Sequence, residues 1–325
     1  MIQAFSERAG SLVRRDADGD RQAVEQASWL DLAWPTDDEE RLVEQVVGHE
    51  LPTREEMAEI EASSRMYTED GAWYLTAMLL TRADTDAPEI TPVTFVLTPD
   101  RLVTIRYTEP KAFAVFAKRA EKAGAVPCMR HDQIMMGLFE SVIDRLADVI
   151  ERIGSEVDVI SKAIFETSAN RASVSRRLED VVFRLGRQGD LLSKARESLA
   201  SMTRVVIFID QALREREGQE LRKRLKIAGR DLQSLVDHAS FLSGKMEFLL
   251  DATLGLISIQ QNNVITIFSV AAVVFLPPTL IASIYGMNFD VMPELHASLG
   301  YPLALGAMVV SALVPFLYFK KRGWL

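Results

Sequence analysis

The sequence predicts an α+β domain, then long antiparallel helices, then a stalk helix that continues into a two-span transmembrane hairpin. Three observations carry this prediction. Helix-start and strand signals alternate over the first 123 residues. After Pro127 no proline occurs until residue 277, and apolar residues recur at helical spacing. Near the end, two uncharged apolar runs, 264–285 and 299–319, flank a short polar turn. The 22 residues of the first run would rise about 33 Å as a helix, enough to cross a bilayer core of about 30 Å. Spans joined by so short a loop must double back on each other.

Composition bounds the rest. A chain of 325 residues, 48% hydrophobic, fits two domains with the membrane part in the minority. The net charge of −9 argues against a nucleic-acid partner, which needs clustered basic residues. The single cysteine, Cys128, excludes an intrachain disulfide and a cysteine-cluster metal site. Residues 1–20 carry charges throughout and have no apolar core, so no cleavable signal peptide is expected.

Taken in order, residues 27–34 are a short apolar segment ending at Pro35. Thr36 then reads as an N-cap, with Asp37, Asp38, Glu39 and Glu40 in the first turn, where the helix dipole favours negative charge. Thr53 and Glu56 form a capping-box pattern after Pro52. Residues 73–80 read as a strand. Residues 92–97 and 102–107 flank the turn Thr98-Pro99-Asp100-Arg101 and read as a hairpin. A helix over 110–122 closes this domain, placed at 1–123. Neither a glycine-rich phosphate loop nor a Ser/His/Asp set stands out, so an enzyme is not expected.

Three long helices follow, over about 130–167, 173–216 and from 220 onward. The first two make a helical hairpin, 124–218. In the third, Leu225, Ala228, Leu232, Leu235, Ala239, Leu242, Met246, Leu249, Thr253, Leu256 and Gln260 alternate spacings of three and four, a coiled-coil seam. No cap or proline ends this helix before the membrane. Residues 219–263 are therefore read as the cytoplasmic part of a stalk, and 264–325 as the membrane hairpin. From 220 to 285 the rod would be roughly 100 Å long. Pro277 and Pro278 are expected to kink it. Lys320, Lys321 and Arg322 follow the second span, whereas the loop 286–298 has no Lys or Arg. The positive-inside rule then puts both termini in the cytoplasm and the loop outside.

The residues around this loop carry a resemblance. Tyr285-Gly286-Met287-Asn288-Phe289 with Met292-Pro293-Glu294-Leu295 resembles the signature of the CorA family of magnesium channels. Phe275-Leu276-Pro277-Pro278-Thr279-Leu280 resembles that family's first transmembrane helix, and Gly300-Tyr301-Pro302, Tyr318-Phe319-Lys320 and the final Gly-Trp-Leu its second helix and tail. The likeness is tight from about residue 251 to 325 and is one of layout before that. It implies a homopentameric channel in the bacterial inner membrane, with the first span lining the pore. It implies passive magnesium influx, cobalt and nickel as side substrates, and closure by cytoplasmic magnesium.

Residue chemistry fits that implication. A two-span chain cannot enclose a polar path alone, so conduction needs several copies. Asn262, Ile265, Ala272, Leu276, Thr279 and Ser283 fall on one face of the first span, polar at both ends and apolar in the middle. Such a face suits a pore with a hydrophobic constriction, and by periodicity alone it suits helix packing equally well. Magnesium gives up its six waters reluctantly. The Asn288 amide oxygen can accept hydrogen bonds from those waters, and a ring of copies would greet a hydrated ion without holding it too tightly. In the resembled family, Gly286, Met287 and Asn288 correspond to the selectivity filter. Gly286 is read as permitting a tight turn, and Met287 as packing, since thioethers are too soft for magnesium. Glu294, and less specifically Asp290, would draw cations to the mouth. Asp231 and Asp237 on the stalk are candidates for regulatory magnesium by position, outside any matched motif.

Two alternatives stay open. One is a zinc-transporting relative of the same superfamily, although His49, His131, His238 and His296 form no cluster of the kind zinc favours. The other is a membrane-anchored coiled-coil scaffold without a pore, which leaves the polar Gly-Met-Asn turn without a role.

Overall fold

The structure is a computed structural model that describes residues 1–8, 10–122, 130–165, 171–213, 219–287, 292 and 299–324. The chain divides into two compact units: Met1–Glu166 with Val181–Phe248, and Thr167–Asp180 with Leu249–Leu325.

The first unit is built on a seven-stranded sheet. Its strands are β1 (Ile2–Arg8), β2 (Ser11–Asp16), β3 (Trp29–Ala33), β4 (Met66–Glu69), β5 (Ala72–Thr81), β6 (Glu89–Leu97) and β7 (Leu102–Arg106), in the order β2-β1-β3-β7-β6-β5-β4. Only β3 and β7 pair in parallel. The hairpin expected around Thr98-Pro99-Asp100-Arg101 is β6–β7, in register from Val93↔Arg106 to Leu97↔Leu102. Residues 1–20, in which the sequence predicts no particular element, form β1 and β2. Ile2 and Ala4 are buried in one face's cluster and Phe5, one position on, against Trp29 on the other face, while Leu12 is buried on β2.

Both sheet faces are covered, which is why β3 and β7 read as near-continuous apolar runs. On one face Leu30, Leu32, Val103 and Ile105 pack with Val43 of α2 (Asp37–Val47) and Met57 of α3 (Arg54–Met57). Thr36 and Thr53 cap these helices, each in a full capping box with Glu39 and Glu56. On the other face an aromatic cluster meets α5 (Lys111–Ala120) and α6 (His131–Phe165). Phe5 stacks on Trp29 with centroids 4.1 Å apart, and Phe116 meets the Trp29 ring edge-on at 5.8 Å. Phe95 and Phe139 pair edge-on at 5.0 Å. Burial of each such ring contributes about 1.5–3 kcal/mol. The Trp29 indole N–H donates to Thr104 Oγ1 at 3.0 Å, so the cluster leaves no buried polar hydrogen unpaired there.

Helices α6, α7 (Arg171–Leu213) and α8 (Gln219–Tyr285) match the three long helices expected. The α8 seam is buried at Leu225, Ala228, Leu232, Ala239, Leu242 and Met246, with Leu235 half-buried. Ion pairs clip the helices together at their rims. Arg224 donates to both Glu140 oxygens at 2.9 and 2.7 Å, Lys245 to Asp158 at 2.5 Å, and Arg184 to Glu156 at 2.6 Å.

In the second unit the seam continues through Leu249 and Thr253, both buried, to Leu256 and Gln260, both half-buried. There α8 runs unbroken to Tyr285 through Pro277 and Pro278, each of which lacks an amide donor. The second apolar helix is α9 (Gly300–Lys321). These two helices are long and apolar enough to cross a membrane.

Candidate functional site: the end of α8 and its exposed row

The turn that follows α8 is built by tightening its last hydrogen bonds. The Gly286 N–H donates to the carbonyls of Ala282 at 3.0 Å and Ser283 at 3.2 Å, and the Met287 N–H to Ile284 at 3.2 Å. Gly286 does not adopt the left-handed backbone that would by itself demand glycine. A Cβ there would stand 3.2 Å from the Ala282 carbonyl oxygen, a tight contact. Met287 is exposed. Asn288, Asp290 and Glu294 lie outside the described residues, as does Cys128.

Along α8 the membrane stretch is mostly exposed, with one covered stripe. Thr266, Val270, Val274, Pro277, Ile281 and Tyr285 are buried or half-buried. Asn262, Ile265, Ala272, Leu276, Thr279 and Ser283 are all exposed. At about 100° per residue the centres of the two rows lie roughly 150° apart around the helix. The Thr279 hydroxyl donates to the Phe275 carbonyl at 2.7 Å, just past the two prolines. On α9, Ala304 is buried, and Met308, Pro315 and Phe319 are half-buried at the same helical period. A cavity of about 350 Å³ between the helices is lined by Ala282, Tyr285, Gly286, Tyr301, Ala304 and Met308. One chain thus covers a narrow stripe of α8 and leaves the rest of this stretch open, the expected row together with Phe268, Phe275 and Leu280.

The two stalk aspartates belong to the first unit. Both are exposed, and Asp237 accepts a hydrogen bond from Gln233 Nε2 at 2.9 Å. Asp231 shares a neighbourhood with Asp144 of α6. Burial pushes the Asp144 carboxyl above its usual range. Arg119 opposes that shift, and the charges of Glu140, Asp148 and Asp231 add to it. Sequence spacing could not show this neighbourhood, since α6 and α8 lie some 80 residues apart in the chain. Among the described residues, no group of three His, Cys, Asp or Glu side chains is placed to hold a metal ion.

A sheet-based α/β domain, long helices, and one unbroken helix ending in a Gly-Met turn before a second apolar helix define a protein with two candidate membrane spans. A model of the family described as CorA-like Mg2+ transporter protein matches residues 24–321. The magnesium transport protein CorA of Pasteurella multocida is 36% identical over 325 residues, all of both chains. The protein of the same name from Escherichia coli is also 36% identical over the full length of both. Among solved structures, the CorA magnesium transporter of Methanocaldococcus jannaschii superposes with a TM-score of 0.75. That match has 16% identity and covers 100% of this chain and 99% of the other, and it speaks for the fold alone. The chain belongs to the CorA family.

Proposed function

We propose that the chain is a magnesium channel that mediates passive influx across the bacterial inner membrane. It works as a homopentamer, with both termini cytoplasmic and the 286–298 loop outside. The observation that carries this reading is the exposed α8 row. Asn262, Ile265, Ala272, Leu276, Thr279 and Ser283 are left uncovered by the rest of the chain, opposite the row beside α9. Small and polar residues such as Ala272, Thr279 and Ser283 are of the kind found between packed membrane helices, so further copies are the better cover. The names of the full-length relatives support magnesium as the cargo.

In this reading residues 1–123 are the cytoplasmic α/β domain, 124–218 the helical hairpin, 219–263 the cytoplasmic stalk and 264–325 the membrane hairpin. Gly286, Met287 and Asn288 form the filter. Asn288 amide oxygens accept hydrogen bonds from the waters of a hydrated magnesium ion, which passes without losing its shell. Glu294 raises the local cation concentration at the mouth. Leu276 lies in the apolar middle of the row and closes the path by excluding water. Cytoplasmic magnesium, bound through Asp231 and Asp237, favours the closed state, so the channel opens as internal magnesium falls. Cobalt and nickel pass as side substrates.

Flux into liposomes from purified protein tests the reading. Parent protein should carry magnesium down its gradient, and Asn288→Ala should abolish flux while the assembly stays intact. Normal flux in Asn288→Ala would overturn the filter. A preference for zinc in competition would favour the zinc-transporting relative, and absence of flux for every divalent ion would favour a scaffold.

A further inference from the structure

We infer that β5 locks α7, from Val181 onward, in a fixed axial register against the sheet, through Ser198 and Ser201, and that the sheet, α6 and this part of α7 move as one body. The inference rests on the channel reading only in supposing a transport cycle.

The argument starts from an open strand edge. β4 covers β5 from Ala72 to Leu75 and no further, while β5 continues to Thr81. Beyond Leu75 the outward amides on that edge have no strand partner, and a buried amide without an acceptor costs about 1–3 kcal/mol. Helix α7 takes the place of the missing strand. The Met78 N–H donates to Ser201 Oγ at 2.9 Å, and the Leu80 N–H to Ser198 Oγ at 3.2 Å. Both serines are buried, at 3% and 0% exposure. The spacings agree: alternate strand residues present their amides to one edge, and residues three apart on a helix share a face.

A slide of α7 by one turn, about 5.4 Å, is a known kind of helix rearrangement. Here a three-residue slide would put one serine where the other stood and leave Ala195 or Arg204 at the second place, and a four-residue slide in one direction would put Met202 and Val205 at the two places, so none of these slides keeps both bonds. Directional bonds to two backbone amides therefore define one register, which an apolar interface alone would not.

The end of β5 grips α6 independently. Asp84, three residues past Thr81, accepts from Lys111 of α5 and from Arg145 and Arg152 of α6, with Arg145 Nη2 at 2.7 Å from both oxygens. Arg152 Nη2 also donates to the Ala83 carbonyl at 2.6 Å. Arg184 of α7 reaches Glu156 of α6, closing the circuit. One strand thus holds both long helices.

Hydrogen exchange on the full chain in a membrane mimetic, magnesium-loaded and chelator-treated, tests the lock. The Met78 and Leu80 amides should exchange at the same rate in both states. In the Ser198→Ala/Ser201→Ala variant those two amides should exchange about tenfold faster or more, with Ala77 and Leu79, which face β6, unchanged. If the double variant does not assemble, Ser201→Ala should release Met78 alone and Ser198→Ala should release Leu80 alone. Loss of protection at both amides on chelation of the parent would overturn the inference by showing that α7 slides. Unchanged exchange in the serine variants would overturn it by showing that the hydroxyls do not hold the edge. Neither outcome depends on ion flux, so it leaves the channel reading to its own test.

Discussion

Asp31 and Arg106, on the adjacent parallel strands β3 and β7, form a buried ion pair. Arg106 Nη2 donates to Asp31 Oδ2 at 2.9 Å, and Nε lies 3.1 Å from both carboxylate oxygens. Thr104 Oγ1 donates to the same carboxylate at 2.7 Å, and Arg106 Nη1 to the Thr108 carbonyl at 2.6 Å. The pair lies on the aromatic face of the sheet, with the guanidinium 5.8 Å from the Phe113 centroid. Removing one partner leaves a buried charge without compensation. Arg106→Met should therefore destabilise the protein by about 3–5 kcal/mol, and Asp31→Leu/Arg106→Met should recover at least half of that loss. Chemical unfolding followed by tryptophan fluorescence checks this double-mutant cycle.

The Asp84 clasp predicts a pH dependence. Lys111, with Arg145 and Arg152, holds the Asp84 carboxyl well below the usual carboxylate range. A depressed carboxylate adds stability above the unfolded value of about 3.9 and loses it as pH falls toward the folded value. Asp84→Asn should melt about 2–4 °C below the parent near neutral pH, since solvent screens this partly exposed cluster to about 1 kcal/mol. The gap should narrow from about pH 4 downward, where the unfolded parent takes up a proton at Asp84 before the folded one does. A gap that stays constant with pH would show that the charge of Asp84 is not what holds the clasp.

Two glycines in helices should respond in opposite directions. A Cβ on Gly137 of α6 would overlap the Phe116 ring, which is fully buried within the aromatic cluster. Gly137→Ala should cost about 1–3 kcal/mol through overpacking. Around Gly186 of α7 a Cβ would meet nothing within 4 Å. Gly186→Ala should stabilise by about 0.5–1 kcal/mol, from helix propensity alone. Melting temperatures of the two variants in one detergent provide the comparison.

The pore reading makes a claim about Leu276. As the apolar middle of the exposed row, its replacement by serine should wet the constriction and raise flux under high internal magnesium several-fold. Ile267, exposed and roughly 160° around the helix from the row's centre, serves as the control, and its serine variant should behave as the parent. Equal effects of Leu276→Ser and Ile267→Ser would remove the row from the pore.

Regulation through the stalk is tested by Asp231→Ala and Asp237→Ala. If either carboxylate binds the magnesium that favours closure, the internal concentration needed for inhibition should rise about fivefold or more. Flux into liposomes loaded with graded magnesium reads this directly, and an unshifted inhibition curve in both variants would exclude them.

What the sequence by itself determined is what depends on near neighbours along the chain. The Thr36 and Thr53 caps, the β6–β7 hairpin, the α8 seam and the absence of any stop before Tyr285 all follow from spacings of two to seven residues. The end of α8 at Tyr285 and the turn at Gly286 were legible for the same reason. The tertiary structure alone decided which distant groups meet. It folded residues 1–20 into β1 and β2, joined Asp31 to Arg106, set Phe116 against Gly137 and brought Ser201 to Met78, 123 positions away. Burial turned these polar and small residues into requirements, because an unpaired amide or charge is tolerated in water but not beneath a helix. No local pattern records which partner will arrive.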